Sequence, residues 1–258
     1  MKITRPNDTT KITEFNSIQE AVDYIKNTPA TQSFANRYGG LESISQKECR
    51  WYGTSSFDEA LDLLRNGWTE KAKELEGKLS QKLNKETTTV TRQKSVYDVV
   101  GGNCSVPRYL QGVPTNMVRQ VRKPVKEKVV TINYNIGYTC DFTASKIIDN
   151  AIECISQVKA LEDSGTRVNL NVVRVISGFG TNKKHGWIIP IKKSNERVSL
   201  AKMAFAVCHS SMLRRIMFAI EERDEDVEIR YFDYGCSIRD TKVLKKLLPD
   251  TEIFETKF

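Results

Sequence analysis

The sequence predicts an α/β protein: a doubly wound, mainly parallel sheet with an α-rich amino-terminal region packed on it. Two observations carry that expectation. From Val129 onward, strand-length apolar runs alternate with helix-length amphipathic segments, the pattern of a sheet built from crossovers. Before that point helical periodicity dominates, broken by loops rich in glycine and proline. The chain therefore divides at residue 124, into an α-rich region with its wrapping connection over 1–124 and an α/β domain over 125–258.

The elements follow in order. Ser17 with Glu20 three residues later forms a capping box before Ile18, Ala21, Val22 and Ile25, which predicts one short helix within the first thirty residues. Arg50-Trp51-Tyr52 has strand character. Thr54-Ser55-Ser56 precedes Phe57, Ala60, Leu61 and Leu64, and Asn66-Gly67 closes that helix. From Thr69 to about Asn84, Ala72, Leu75, Leu79 and Leu83 form a narrow stripe on a charged helix that packs by one edge. The prolines and glycines from Gly101 to Pro114 impose a rigid, structured connection after a Val96-to-Val100 segment.

The second half opens with the apolar strand Val129 to Tyr134. A helix from Thr143 to about Ser164 follows, with Ile147, Ala151, Ile155 and Val158 on its inner face and Gly165 as its stop. Arg167 to Ser177 is a strand, Ser177 to Lys184 a glycine-rich hairpin, and Lys184 to Lys193 a strand that Pro190 assigns to an edge. A long helix runs from Leu200 to about Arg223. A strand from Asp226 to Asp233, a basic helix from Thr241 to Leu248 and a strand from Thr251 to Phe258 close the chain.

Composition bounds the function. The 258 residues are 39% hydrophobic, enough for a packed core, and the apolar runs are too short and interrupted for a membrane span. The amino terminus lacks an apolar signal core, so no membrane association and an intracellular location are expected. Six separated cysteines without a C-x-x-C pair read as free thiols in a reducing compartment. Two histidines exclude a multi-histidine metal centre. A net charge of +8 favours an acidic partner, protein or nucleic acid.

Loops at the carboxyl edge of a parallel sheet form the usual binding crevice. Asn133, Asn135, Asp141, Asp233 and Ser237 fall there, with Arg214 of the long helix able to face it. These residues read either as a ligand or partner site or as ordinary loop residues; with so few carboxylates, neither a metal nor a cofactor is expected. No catalytic set is legible, since His209-Ser210-Ser211 lacks the motif and orienting acid of a serine nucleophile. Arg119, Arg122, Lys123, Lys126 and Lys128 fall within ten residues and read either as phosphate contacts or as the charges of a solvated edge strand.

The second half resembles a von Willebrand factor A-like domain, in which D-x-S-x-S follows the first strand. Asn133, Asn135 and Gly137 stand at those positions here, and Asp233-Tyr234-Gly235 resembles the downstream acidic loop. The resemblance implies a degenerate metal-dependent adhesion site. The whole chain also resembles an uncharacterised group of bacteriophage-encoded proteins, through Tyr52-Gly53-Thr54, Ser56-Phe57 and Glu59-Ala60-Leu61 with Asn66-Gly67-Trp68, and through Val106-Pro107, Tyr109-Leu110, Gly112, Pro114 and Asn116-Met117. That likeness implies the cytoplasm of a bacterial host. The leading expectation is a non-catalytic protein that binds a macromolecular partner through a metal-less crevice and a basic segment. A nucleic-acid-binding or processing protein of phage replication and a virion or scaffold component are the alternatives.

Overall fold

A computed structural model describes residues 1–31, 50–83, 94–121, 128–138, 142–177, 182–227, 237–249, 251–254 and 256. The protein is mixed α/β, built on a mainly parallel six-stranded sheet. Its strands are β1 (Lys2–Asn7), β2 (Thr10–Glu14), β6 (Val129–Asn135), β7 (Arg167–Ser177), β8 (Lys184–Lys192) and β9 (Glu252–Phe254), in the order β1-β2-β8-β7-β6-β9. The β2/β8, β7/β6 and β6/β9 pairs are parallel; β1/β2 and β7/β8 are antiparallel. A separate three-stranded antiparallel sheet contains β3 (Lys94–Asp98), β4 (Asn103–Cys104) and β5 (Met117–Val121), with β5 in the middle.

The helices are α1 (Ile18–Asn27), α2 (Phe57–Asn66), α3 (Thr69–Leu83), α4 (Val106–Leu110), α5 (Ala144–Asp163), α6 (Leu200–Cys208), α7 (Phe218–Glu221) and α8 (Thr241–Leu247); a π-helical turn, Met212–Met217, leads into α7. Their ends follow local chemistry. Ser17, Ser56 and Thr143 each accept from the backbone N–H three residues ahead and so satisfy a helix-start donor. Glu20 completes the first box one residue further back, accepting from the Asn16 N–H at 2.6 Å. Gly67 ends α2 at φ 87°, where a Cβ would lie 2.6 Å from the backbone carbon of Ala201.

Alternation divides the sheet's two faces. Ile132, Tyr134, Leu170, Val172, Trp187 and Ile189 point into the main core, which α1, α2, α3, α5 and α6 cover. Ile12, Val173, Val175, Ile188 and Ile253 face the other way, against Leu244 and Leu247 of α8 and Leu248 just past its end. Most helical cover therefore lies on one face. At the base of α5, buried Lys192 donates to Glu162 at 2.6 Å and to the Val168 carbonyl at 2.9 Å, fastening the helix end to β7 and β8.

Several expectations change. The first thirty residues contain β1 and β2 as well as α1, so the amino-terminal region supplies strands to the central sheet. Arg50–Tyr52 is a 3-10 turn and not a strand. β8 is internal over its first half, because β2 pairs with it from Lys184 to Ile188. Beyond Ile188 that neighbour ends, and Pro190 occupies the uncovered part, opposite Asn171 at a register shift in β7. The proline's missing N–H is thus harmless where it stands. The long helix breaks at His209, where its two parts are bent by 72°. Arg119 lies on β5, the middle strand of the small sheet, but β4 pairs with that strand only at Met117 and Val118, so Arg119 stands beyond it.

Candidate functional site

The loop after β6 is drawn tight by its own side chains. Asn135, 2% exposed, donates through Nδ2 to the Ile238 carbonyl at 3.1 Å and accepts the Gly137 N–H at 3.1 Å. Ser237 approaches so closely that a Cβ on Gly137 would lie 2.5 Å from the Ser237 Cβ. Ile238 N–H donates to Val175 at 2.7 Å, which anchors the same strip to β7. The sheet edge therefore brings Asn135, Gly137 and Ser237 together, as the sequence pattern anticipates.

What fills the edge is Arg174 of β7. Its Nη1 donates to Ser237 Oγ at 2.6 Å, its Nε and Nη2 donate to the Glu221 carboxylate, and its guanidinium carbon stands 5.0 Å from the Phe218 ring centre. Sequence reading missed this residue because an arginine inside an apolar strand carries no mark of its partner 47 positions away. Asn133 lies in a different arrangement, an amide ladder across the sheet. Asn171 donates to it at 2.9 Å, and it donates to Thr251 Oγ1 at 2.9 Å; one step along, Asn169 donates to Thr131 at 3.2 Å. Such cross-strand pairs hold register and satisfy amides that would otherwise be costly to bury.

Arg214 is placed away from this crevice. It lies over the ring of Trp51, 4.0 Å from guanidinium carbon to ring centre, and donates to the Trp51 carbonyl. Arg215 follows the same plan over Tyr52 at 4.6 Å and donates to the Thr54 carbonyl at 3.2 Å. Ser210 and Ser211 both donate to the Tyr52 carbonyl, at 2.9 and 2.6 Å, while the Ser211 N–H donates to His209 Nδ1 at 3.1 Å. The helix break thus grips the Trp51–Thr54 turn through the side chains of Ser210, Ser211, Arg214 and Arg215. Gly53, at φ 89°, is required because a Cβ there would lie 2.5 Å from Ser210 Oγ.

Two features make this cluster structural in chemistry. Both serine protons are directed to a backbone carbonyl and not to a base. Burial presses the His209 imidazole down to about 4, only partly offset by Glu59, while burial pushes the Cys208 thiol up to about 12. An imidazole this weakly basic, with its Nδ1 already accepting the Ser211 N–H, and a protonated thiol are poorly suited to general-base or thiolate chemistry near neutral pH.

The expected basic contact is only partly described. Arg119 is exposed and ion-paired with Asp98 at 3.3 Å, and Lys128 is exposed; Arg122, Lys123 and Lys126 lie outside the described residues, as do Asp141 and Asp233. Arg119 belongs to the small sheet, and that sheet has an unusual surface. No residue from 95 to 119 is buried, and Tyr97, Val99, Val100, Val106, Tyr109 and Leu110 are between 50% and 78% exposed. Arg108 stacks on Tyr97, 4.1 Å from guanidinium carbon to ring centre. Among the described residues no group of three or more His, Cys, Asp or Glu side chains could hold a metal ion, and no single helix is long and apolar enough to cross a membrane.

Fold and surfaces together define a mixed α/β protein with a sheet edge closed by internal hydrogen bonds and a second, small sheet that leaves its apolar side chains open. The family model described as Domain of unknown function (DUF7192) matches residues 4–255, so the chain belongs to that family. Comparison with curated proteins and with solved structures gave no match.

Proposed function

We propose that this is a non-catalytic phage protein of the bacterial host's cytoplasm that binds an acidic macromolecular partner, a protein before all else. The observation that carries the reading is the unit 95–119, which exposes six large apolar side chains and buries none of its residues. A three-stranded sheet needs a covered apolar face to be stable, and contiguous exposed apolar surface marks interaction sites. Residues 94–128 also carry seven Lys and Arg against two acidic residues, which supports an acidic partner. In this reading the contact surface is the small sheet with the basic segment 119–128. Asn133, Asn135 and Ser237 buttress the sheet edge, a degenerate form of the von Willebrand A-like loop.

A nucleic acid is the second reading, favoured by the Arg108–Tyr97 stack and exposed Tyr109, since bases stack on such rings beside basic side chains. A virion or scaffold role would instead show as a stoichiometric presence in particles.

Capture from expressing cells, with protein and nucleic acid measured in one eluate, tests these readings. Tyr109→Ser with Leu110→Ser is expected to abolish recovery of the partner while leaving the melting temperature unchanged. Undiminished recovery with that variant sinks the proposal. So does nucleotide hydrolysis or nucleic-acid cleavage by the purified protein that disappears with Asp233→Ala. Affinity that falls steeply with salt, and weakens when Arg119, Arg122 and Lys123 become alanine, selects the nucleic-acid reading.

A further inference from the structure

We propose that two copies of this chain associate through β3, strand against strand and antiparallel about a two-fold axis at Val96, so that their two small sheets become one. The phase of the backbone ladder carries the inference. The Val118 carbonyl accepts the Gly102 N–H at 3.1 Å and the Asn116 carbonyl accepts the Ser105 N–H at 2.7 Å, so both residues turn their backbone groups toward β4. That direction alternates along a strand, so Met117 and Arg119 turn theirs toward β3, where Asp98 and Val96 oppose them. Ser95 and Tyr97 of β3 therefore point their N–H and C=O groups outward. Both residues are exposed, and among the described residues β5 is the strand that pairs with β3. The next outward N–H, that of Val99, donates to Asp98 Oδ1 at 2.7 Å and closes the edge at that end.

The open edge is its own complement. A second copy laid antiparallel puts its Tyr97 opposite Ser95 and its Ser95 opposite Tyr97, and each such pair exchanges both of its main-chain hydrogen bonds. Val96 then faces Val96 at the axis, and Lys94 stands opposite Asp98 at either end, opposite charges at facing positions. Asp98 already holds Arg119 at 3.3 Å on the surface, and a carboxylate has room for a further donor. The other edges are guarded or short. β1 carries Lys2, Arg5 and Pro6 and shifts register between Thr4 and Asn7, the means by which an edge is kept from pairing, while β9 has three residues and β4 two. β3 has five residues and no proline. Each copy offers one such edge, so the pairing closes as a dimer and does not grow into a fibre. Edge pairing covers neither face of the sheet, so it stands apart from the partner surface around Tyr109 and Leu110.

The test is sedimentation velocity of the full chain over a concentration series, in which a reversible monomer–dimer equilibrium is expected. Ser95→Pro removes an outward N–H and leaves the β3–β5 ladder intact. By symmetry it takes a hydrogen bond from each copy, so association should weaken about a hundredfold. Val96→Lys and Val96→Glu each set like charges against each other at the axis and should be monomeric; mixed in equal amounts they should restore the dimer. Far-UV circular dichroism and melts verify that each variant folds. A wild-type chain that stays monomeric up to about 1 mM overturns the proposal. So does a dimer that survives Ser95→Pro and both Val96 variants, or a mixture of the Val96 variants that stays monomeric. Protection of the Ser95 and Tyr97 amides that follows the captured partner and not this chain's own concentration overturns it as well, because the edge then takes a strand of that partner.

Discussion

Arg174 and Glu221 form an ion pair in which both side chains are withdrawn from solvent, at 0% and 1% exposure. The pair joins the middle of the sheet to the short helix after the π-turn, and Ser237 accepts the remaining edge of the guanidinium at 2.6 Å. A buried charge is tolerable only while its partner remains, so removing one member is far worse than removing both. Arg174→Met is expected to lose about 3–5 kcal/mol, and Arg174→Met with Glu221→Met to recover much of that. Urea unfolding of the two single variants and the double variant measures it. Additive losses would show that the pair is not coupled.

Gly137 and Ser237 are the second close relationship, with 2.5 Å between the Ser237 Cβ and the place a Gly137 Cβ would occupy. Gly137→Ala must push the two loops apart, at about 1–3 kcal/mol for an overpacked contact. Ser237→Gly removes the opposing carbon, so Gly137→Ala should be less damaging in that background. If the alanine costs the same in both backgrounds, the loops do not meet there.

How far this site is legible in sequence depends on the range of the interaction. Helix starts at Ser17, Ser56 and Thr143 are written within four residues and are found where the residues put them. The strand 167–177 is legible from its apolar run, and the gathering of Asn135 with Ser237 follows from the sheet edge. The strands β1 and β2 are not legible, because β1 is exposed along its whole length and carries Pro6, and β2 is five residues of mixed polarity. Ser210 and Ser211 offer a cap for a restarted helix, but the size of the bend at His209 is not written locally. Its cause is the Trp51–Thr54 turn about 157 residues earlier, which takes up Ser211 at Thr54.

Stability is expected to fall below pH 6.5 before any carboxylate titrates. His209 is held near 4 by burial, against about 6.5 when unfolded, so acid favours the unfolded chain, which takes up the proton first. The contribution is complete above pH 6.5 and is lost as pH falls toward 4. By pH 4.5 the loss is about 2–3 kcal/mol. Burial lowers His185 too, which adds to the same slope. His209→Asn should flatten the dependence between pH 6.5 and 4.5 in urea unfolding, even though it forfeits the ring contacts with Trp68 and Phe205. An unaltered slope in that variant would show that the imidazole is already charged in the folded protein.

Hydrogen exchange separates the two sheets. Opening free energy follows local burial, so amides of the uncovered β3–β5 sheet should exchange from small local fluctuations while those of β6 and β7 wait for global unfolding. The ladder from Val96 to Asp98 against Met117 to Arg119 has backbone hydrogen bonds but no buried side chain to hold water off. In the isolated protein its amides are expected to exchange at least about a hundredfold faster than those of Leu170 and Val172, a gap of roughly 3 kcal/mol. Adding the captured partner should close most of that gap on β5 and leave β7 unchanged. Slow exchange on β5 without the partner would mean that the small sheet is stable uncovered, and the apolar exposure of Tyr109 and Leu110 would then no longer argue for a protein that covers them.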